Sequence, residues 1–261
     1  MTKPISKPCI LALESSGALL SVAVYRDGSI ASLISHNITH GHAKDIVPTA
    51  MAALAQAGCG FEMVTHVAAG AGPGSFTGIR VALACAKGFC LAWGAKGIGV
   101  SGLQALARHA AEHDYNDSAP MLITADTRRG MLYCQFFDAD GQAAGTIFEA
   151  APEKLPALRR GMDDNAKLDM PLYVGGFEYE QLADIFAKDD VRVIQPEMAL
   201  PLDAAMIAAD AAYQIMTDMT PPLAPLYLAA AKLGPPKKDA KKTPNKTAKK
   251  AKRKPAPAAQ G

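Results

Sequence analysis

The chain has 261 residues, is 49% hydrophobic and carries a formal net charge of +2, enough apolar material for one large core or two smaller ones. No apolar run in the sequence reaches the length of a membrane span, and Met1–Pro8 lacks the apolar centre of a secretory signal. Five cysteines (Cys9, Cys59, Cys85, Cys90 and Cys134) are scattered through mostly apolar segments without a CxxC pair, which argues against a disulfide or zinc framework and predicts reduced thiols in a cytoplasmic protein.

The first predicted strand is Ile10–Leu13, ending at Glu14 and Ser15. A second covers Leu20–Tyr25 and closes on an Asp27-Gly28 turn. His36, His40 and His42 follow near a strand-to-helix junction. No carboxylate or thiol stands at a usual ligand spacing from them, so they are read as capping and surface groups. Ala43, Ile46, Val47, Ala50, Met51 and Leu54 recur at helical spacing and predict a helix from Ala43 to Ala57, with Pro48 tolerated near its first turns.

Val67–Ala69 reads as a short buried strand. It runs into Gly72-Pro73-Gly74-Ser75-Phe76-Thr77-Gly78, after which Ile79, Leu83, Ala86, Phe89, Cys90 and Trp93 predict a helix from Thr77 to Trp93. Strand, glycine loop and helix N-terminus make a place where backbone N–H groups converge on an anion or on another chain, unless the loop is a plain strand-to-helix turn. The loop lacks the Gly-Lys-Ser/Thr ending of a P-loop and the third in-register glycine of a dinucleotide fingerprint. Both helices are rich in alanine and cysteine beyond their main stripes, leaving small-residue faces on which another helix can pack closely.

Further along, His109-Ala-Ala-Glu112-His113 matches the H-x-x-E-H pattern of inverted zinc peptidases. The turn formers Asp114–Ser118 come next, so the expectation is a fraying, exposed helix end. Leu122–Ala125, Asp126-Thr127, Leu132–Phe137 and Asp140-Gly141 then repeat the opening pattern of strand, acid with hydroxyl neighbour, strand and turn. The duplication predicts two α/β lobes, residues 1–115 and 116–234, each a mixed sheet with flanking helices. Residues 235–261 hold ten Lys/Arg and one acid with no aromatic residue, leaving 17 basic against 24 acidic residues before them, a formal −7. Such a composition predicts a disordered tail, serving either as a solvated appendage or as a salt-sensitive contact with RNA phosphates.

Gly72-Pro-Gly-Ser-Phe-Thr-Gly-Ile-Arg80, together with Ile10-Leu-Ala-Leu-Glu-Ser-Ser16 and Ile123-Thr-Ala-Asp-Thr-Arg-Arg-Gly130, resembles the signature of the TsaB (YeaZ) family. These proteins take part in making N6-threonylcarbamoyladenosine in tRNA. The resemblance covers the first half of the chain well, the second half loosely and the lysine-rich segment not at all. It implies the actin/Hsp70/sugar-kinase (ASKHA) superfold with two similar lobes and a cleft between them. It also implies a non-catalytic subunit that activates the transferase TsaD beside the ATPase TsaE. Two helices of this chain would pair with two of TsaD, which puts Ala43, Ile46, Val47, Ala50, Met51, Ala82 and Ala86 at the interface; isolated copies would pair with each other.

In that superfold the acid at the first turn of each lobe holds magnesium through water, and nearby glycines admit nucleotide phosphates. Glu14 and Asp126 occupy those places, but Ser15-Ser16-Gly17 and Thr127-Arg128-Arg129 follow them, so neither turn has an acid-x-glycine arrangement. The expectation is a degenerate cleft with no cofactor or metal bound by this chain, ATP and magnesium belonging at most to the complex. Tyr173-Val-Gly-Gly-Phe177 falls where such folds contact adenine. Gly102 and Leu106 fall where TsaD proteins carry their metal-binding histidines. The alternatives are a free-standing ATP-dependent kinase of the same superfold or a zinc hydrolase using His109, Glu112 and His113.

Overall fold

The computed structural model describes residues 7–17, 19–37, 42–114, 119–162, 170–196, 201–226 and 228. His40, Asn116 and the lysine-rich segment therefore lie outside the described residues, as does the side chain of His42.

Residues Ile10–Glu14 (β1), Leu19–Arg26 (β2), Ser29–Asn37 (β3), His66–Gly72 (β4) and Lys96–Ser101 (β5) form one sheet in the order β3-β2-β1-β4-β5. The first three strands run antiparallel to one another, and β4 and β5 are parallel to β1. Met121–Asp126 (β6), Leu132–Phe137 (β7), Phe148–Ala150 (β8), Leu172–Gly176 (β9) and Val193–Ile194 (β10) repeat this order and polarity as β8-β7-β6-β9-β10. The duplication read from the sequence is thus a duplication of topology, and the chain has the two-lobed ASKHA architecture.

The apolar strand runs follow from burial on both faces. In β1, Leu11 and Leu13 point to one side and Ile10 and Ala12 to the other, the two-residue period of a strand. Helices His42–Gln56 (α1) and Phe76–Trp93 (α2) cover the first side through Ile46, Ala50, Leu54, Ile79, Ala82, Leu83, Ala86 and Phe89. Helix Ala204–Met216 (α6) covers the second through Ile207, Ala208 and Ala211. Asp203 caps α6 by accepting from the amides of Ala205 and Met206 at 2.9 and 3.0 Å. The boundary expected at residue 115 therefore needs correction for α6, which follows the second sheet in sequence and packs on the first.

Helix Gly102–His109 (α3) joins the lobes, with Ala105 facing the first sheet and Leu103 and Ala107 facing the second. It continues into one π-helical turn, Ala110–Asp114, rather than fraying. Helices Leu155–Met162 (α4) and Tyr179–Ala187 (α5) complete the second lobe over Leu122, Cys134 and Val174. By length and composition α2 does reach the size of a membrane span, contrary to the sequence expectation. One third of it is buried, its inner face against the first sheet.

A buried ion pair ties α3 to α6. Arg108 Nε donates to Asp210 Oδ1 at 2.6 Å, Gln214 Nε2 donates to Asp210 Oδ2 at 2.6 Å, and the guanidinium lies 3.5 Å from the Tyr213 ring centroid. Burial pushes the Asp210 carboxyl above its ordinary value, with Arg108 and Gln214 pulling the other way. Because Arg108 and Asp210 are 7% and 1% exposed, removing one partner strands the other charge. Arg108→Met is expected to cost about 3–5 kcal/mol in urea denaturation, and Arg108→Met with Asp210→Leu to recover most of it. A single variant as stable as the parent would show that the pair does not hold α6 in place.

Candidate functional site

The glycine loop meets the first turn of the chain backbone to backbone. Ser75 N donates to Ser16 O at 2.8 Å, and Ser15 Oγ donates to Gly78 O at 2.8 Å. A Cβ at Gly78 would overlap the Ser15 carbonyl oxygen, and one at Gly74 would lie 2.7 Å from Ser16 O, so only glycine allows the approach. Three loop amides are used internally: Ser75 N on Ser16 O, Gly78 N on Ser75 Oγ at 3.3 Å and Ile79 N on Ser75 O at 2.9 Å. The sequence left open an anion site, a contact with another chain or a plain turn; what the loop closely approaches is this chain's own Ser15–Ser16 turn.

Glu14 lies beneath that contact. It is fully buried, Oε1 accepts from Ser16 N, and Oε2 has no hydrogen-bond partner. Gly70 makes room for the carboxyl, since a Cβ there would overlap it. Burial pushes the Glu14 carboxyl up from its ordinary value. Asp203 pushes the same way, against hydrogen bonds from Ser16. The expectation that Glu14 and Asp126 flank one cleft is thus half corrected. Glu14 belongs to the interior of the first lobe, whereas Asp126 lines the cleft and accepts from Arg128 N at 2.5 Å.

The cleft, about 500 Å³, lies between the lobes. Ser16, Gly74 and Ser75 form one wall, Thr124, Asp126 and Gly176 the other, and Gly102 and Leu106 the floor. Gly176 and Phe177, from the predicted Gly-Gly turn, border it; Thr124 Oγ1 fixes that turn by donating to Phe177 O at 2.6 Å. Leu202 closes over Gly102, its Cδ2 lying 2.6 Å from where a Cβ would stand. These residues do not fit a bound nucleotide: the first turn is filled by its own backbone, its acid faces inward, and Gly102 and Leu106 offer no lone pair.

The H-x-x-E-H segment gives no metal geometry. The His109 and His113 rings stack at 4.4 Å, His113 Nδ1 lies 3.1 Å from the His109 carbonyl oxygen, and Glu112 is exposed. Among the described residues no group of three or more His, Cys, Asp or Glu side chains could hold a metal ion.

On the far side of the first lobe α1 and α2 enclose a shallow groove of about 520 Å³ lined by Ala43, Val47, Phe76, Arg80, Val81 and Ala84. The Arg80 guanidinium sits 3.8 Å from the Phe76 ring centroid. Of the residues expected at an interface, Ala43, Val47 and Met51 are exposed, Val47 and Met51 at 46% each. Ile46, Ala50, Ala82 and Ala86 are not: they are buried between the helices and the sheet, a correction with a simple cause. Alanine lets a helix sit close to its own sheet as readily as to a partner. Phe76 (53% exposed), Arg80, Val81, Ala84 and Cys85 line the groove as well and were not among the residues expected at an interface. Thr77, Arg80, Val81, Ala84 and Gly88 carried the signal, a second stripe at helical spacing opposite the core stripe.

Glu14 gives the first lobe a pH signature. A carboxyl with a higher pKa in the folded state contributes stability in full below its unfolded value, near 4.5, and loses it as pH rises through the folded value. Glu14→Gln removes this titration while keeping an acceptor for Ser16 N. The stability of the variant relative to the parent should therefore rise with pH between 4.5 and 8 in urea denaturation. A difference independent of pH would mean that Glu14 is not held in a dry interior.

A family model described as "TsaD: tRNA N6-adenosine threonylcarbamoyltransferase" matches residues 34–236. The "tRNA threonylcarbamoyladenosine biosynthesis protein TsaB" of Escherichia coli is 30% identical over 131 residues, 50% of this chain and 55% of that protein. The Haemophilus influenzae protein of the same description is 33% identical over 124 residues, 48% and 51% of the two chains. The chain thus spans about half the length of the curated relatives it matches. In fold, "YeaZ from Pseudomonas aeruginosa" superposes with a TM-score of 0.67 at 22% identity, over 85% of this chain and all of that one. A second structure, described as "an uncharacterized protein with similarity to peptidase YEAZ" from the same organism, gives 0.70 at 21% with the same coverage. The loop that seals the first turn, the two-lobed topology and these matches agree: the chain belongs to the family of that TsaD model, and these two curated relatives are TsaB proteins.

Proposed function

We propose that this chain is a non-catalytic subunit that binds and activates a TsaD-type transferase forming N6-threonylcarbamoyladenosine in tRNA next to the anticodon. It works in the cytoplasm beside the ATPase TsaE. One observation carries the reading: the chain spends its glycine loop on its own first turn while leaving an apolar groove open on α1 and α2. A nucleotide enzyme needs an open phosphate turn, with backbone amides free to meet the phosphates. ATP and magnesium, where the reaction uses them, are handled by the assembly. No observation favours the kinase, and the stacked His109 and His113 give the zinc hydrolase no site.

The partner's helices lie in the groove between Val47 and Phe76, next to the exposed Met51, and an isolated chain pairs with a second copy over the same face, since exposed apolar patches tend to be covered. Val47→Arg, Met51→Arg and Phe76→Arg are expected to weaken TsaD binding by two or more powers of ten in titration calorimetry, because an unpaired charge buried at an interface costs several kcal/mol. Their melting temperatures should stay within a few degrees of the parent. Ala50→Arg and Ala82→Arg, which force a charge into the core, should instead abolish folding. Parent-like binding by all three surface variants would remove the groove as the docking site.

A further inference from the structure

The lysine-rich segment lies outside the described residues, and the described chain before it ends as a strap. After α6 the chain crosses back beside β5 and the glycine loop as a strap, Pro221–Leu226. Gly99 N donates to Pro221 O at 3.2 Å and Leu226 N donates to Ala71 O at 2.9 Å. A Cβ at Gly99 would lie 2.5 Å from Pro222 O, and one at Gly97 would lie 2.9 Å from Leu223 Cδ2. Two glycines in β5 are therefore the space in which the strap sits, and the strap ends two residues from Pro73, at the edge of the cleft.

The charge around this strap is unfavourable for a nucleic acid. Residues 1–234 carry a formal −7, and the cleft sets Asp126, Glu178 and Glu180 against Arg128. Any RNA phosphate that approaches meets net repulsion unless cations are supplied from elsewhere. Residues 235–261 supply ten, with one acid among them. The segment has no aromatic or large apolar residue to insert into a bilayer, which leaves soluble phosphates rather than a membrane as its match.

We propose that residues 235–261 are an RNA-binding arm that engages backbone phosphates without reading sequence. The choice of RNA among polyanions rests on the tRNA-modification reading above; the charge argument does not. If half of the ten cations pair with phosphates, the slope of log affinity against log salt is about −4, so binding falls about 250-fold between 50 and 200 mM salt. Deletion must begin at Pro235, leaving the strap in place so that the β5 edge stays covered.

The full chain, the chain lacking 235–261 and a full-length variant with all ten Lys/Arg changed to Gln are compared by fluorescence anisotropy on an unmodified tRNA transcript. Each is measured from 50 to 200 mM KCl, and in parallel on phosphatidylserine vesicles. The expected result is that both variants lose about 100-fold or more in affinity at 50 mM with a salt slope near zero, melt like the parent, and that the parent prefers tRNA to vesicles. Unchanged affinity and slope in either variant, or a parent that binds vesicles more tightly than tRNA, overturns the arm. Calorimetry of the same proteins with TsaD separates the two readings: a parent that binds tRNA through the arm but not TsaD defeats the proposed function and leaves the arm standing.

Discussion

Two stretches of backbone, Ser15–Ser16 and Gly74–Gly78, meet closely enough that no Cβ fits at Gly74 or Gly78, and the rest of the first lobe is arranged around that contact. It fixes the start of α2, because Ser75 both bonds to the turn and caps the helix. With the N-terminus of α2 pinned to β1 by hydrogen bonds of 2.8 Å, the angle between helix and sheet is set by the chain itself. The same contact closes off the space a phosphate would need at the first turn and leaves Glu14 sealed below it. Loss of the ligand site and rigid presentation of α2 are therefore one event in physical terms.

The two lobes show what that contact does by showing its absence. Glu14 and Asp126 end topologically equivalent strands, β1 and β6. β9 ends in Gly175-Gly176, and the short turn that follows at Phe177, held by Thr124, does not climb over the acid. Asp126 accordingly stays at the cleft surface while Glu14 is fully buried. Between the lobes α3 serves both sheets, and the buried Arg108–Asp210 pair locks it to α6. A buried pair is a poor source of stability but a good source of register. Here it fixes which turn of α3 faces which turn of α6, and hence the floor of the cleft that contains Leu106.

The sequence made the repeat legible because the strands carry apolar runs of fixed length before an acid and a turn, and β7 and the Asp27-Gly28 turn fall where the pattern puts them. The helices α1 and α2 were legible by periodicity to within a residue or two. Two things were not. The packing of α6 on the first sheet is a long-range pairing, and nothing local in Ala204–Met216 distinguishes a helix that returns to the first lobe from one that stays with the second. The direction of the small-residue faces was hidden for a related reason. Ala50, Ala82 and Ala86 are small because the sheet is close, whereas Ala43 and Ala84 border the groove, and composition cannot tell these causes apart. Glu14 was placed at the cleft by the family resemblance, and nothing in its own segment marks it as buried. Its burial depends on Gly70 and the loop, residues more than fifty positions away.

The outer stripe of α2 is the part of the molecule whose chemistry is least explained by its own fold. An exposed helix face in a globular protein is ordinarily dense in charge, yet between Phe76 and Trp93 the only charged residues are Arg80 and Lys87. Arg80 lies against the Phe76 ring, so its stem and the ring together extend the apolar surface. Ala84 and Gly88 add almost no height. A facing helix can therefore approach α2 to within the short interaxial distances that small residues allow, where dispersion contacts are numerous and water is excluded. Such a face holds a partner by shape more than by charge. Shape matching requires that α2 not move, and the loop provides this: the residues that fill the first turn are the ones that hold the outer face of α2 still.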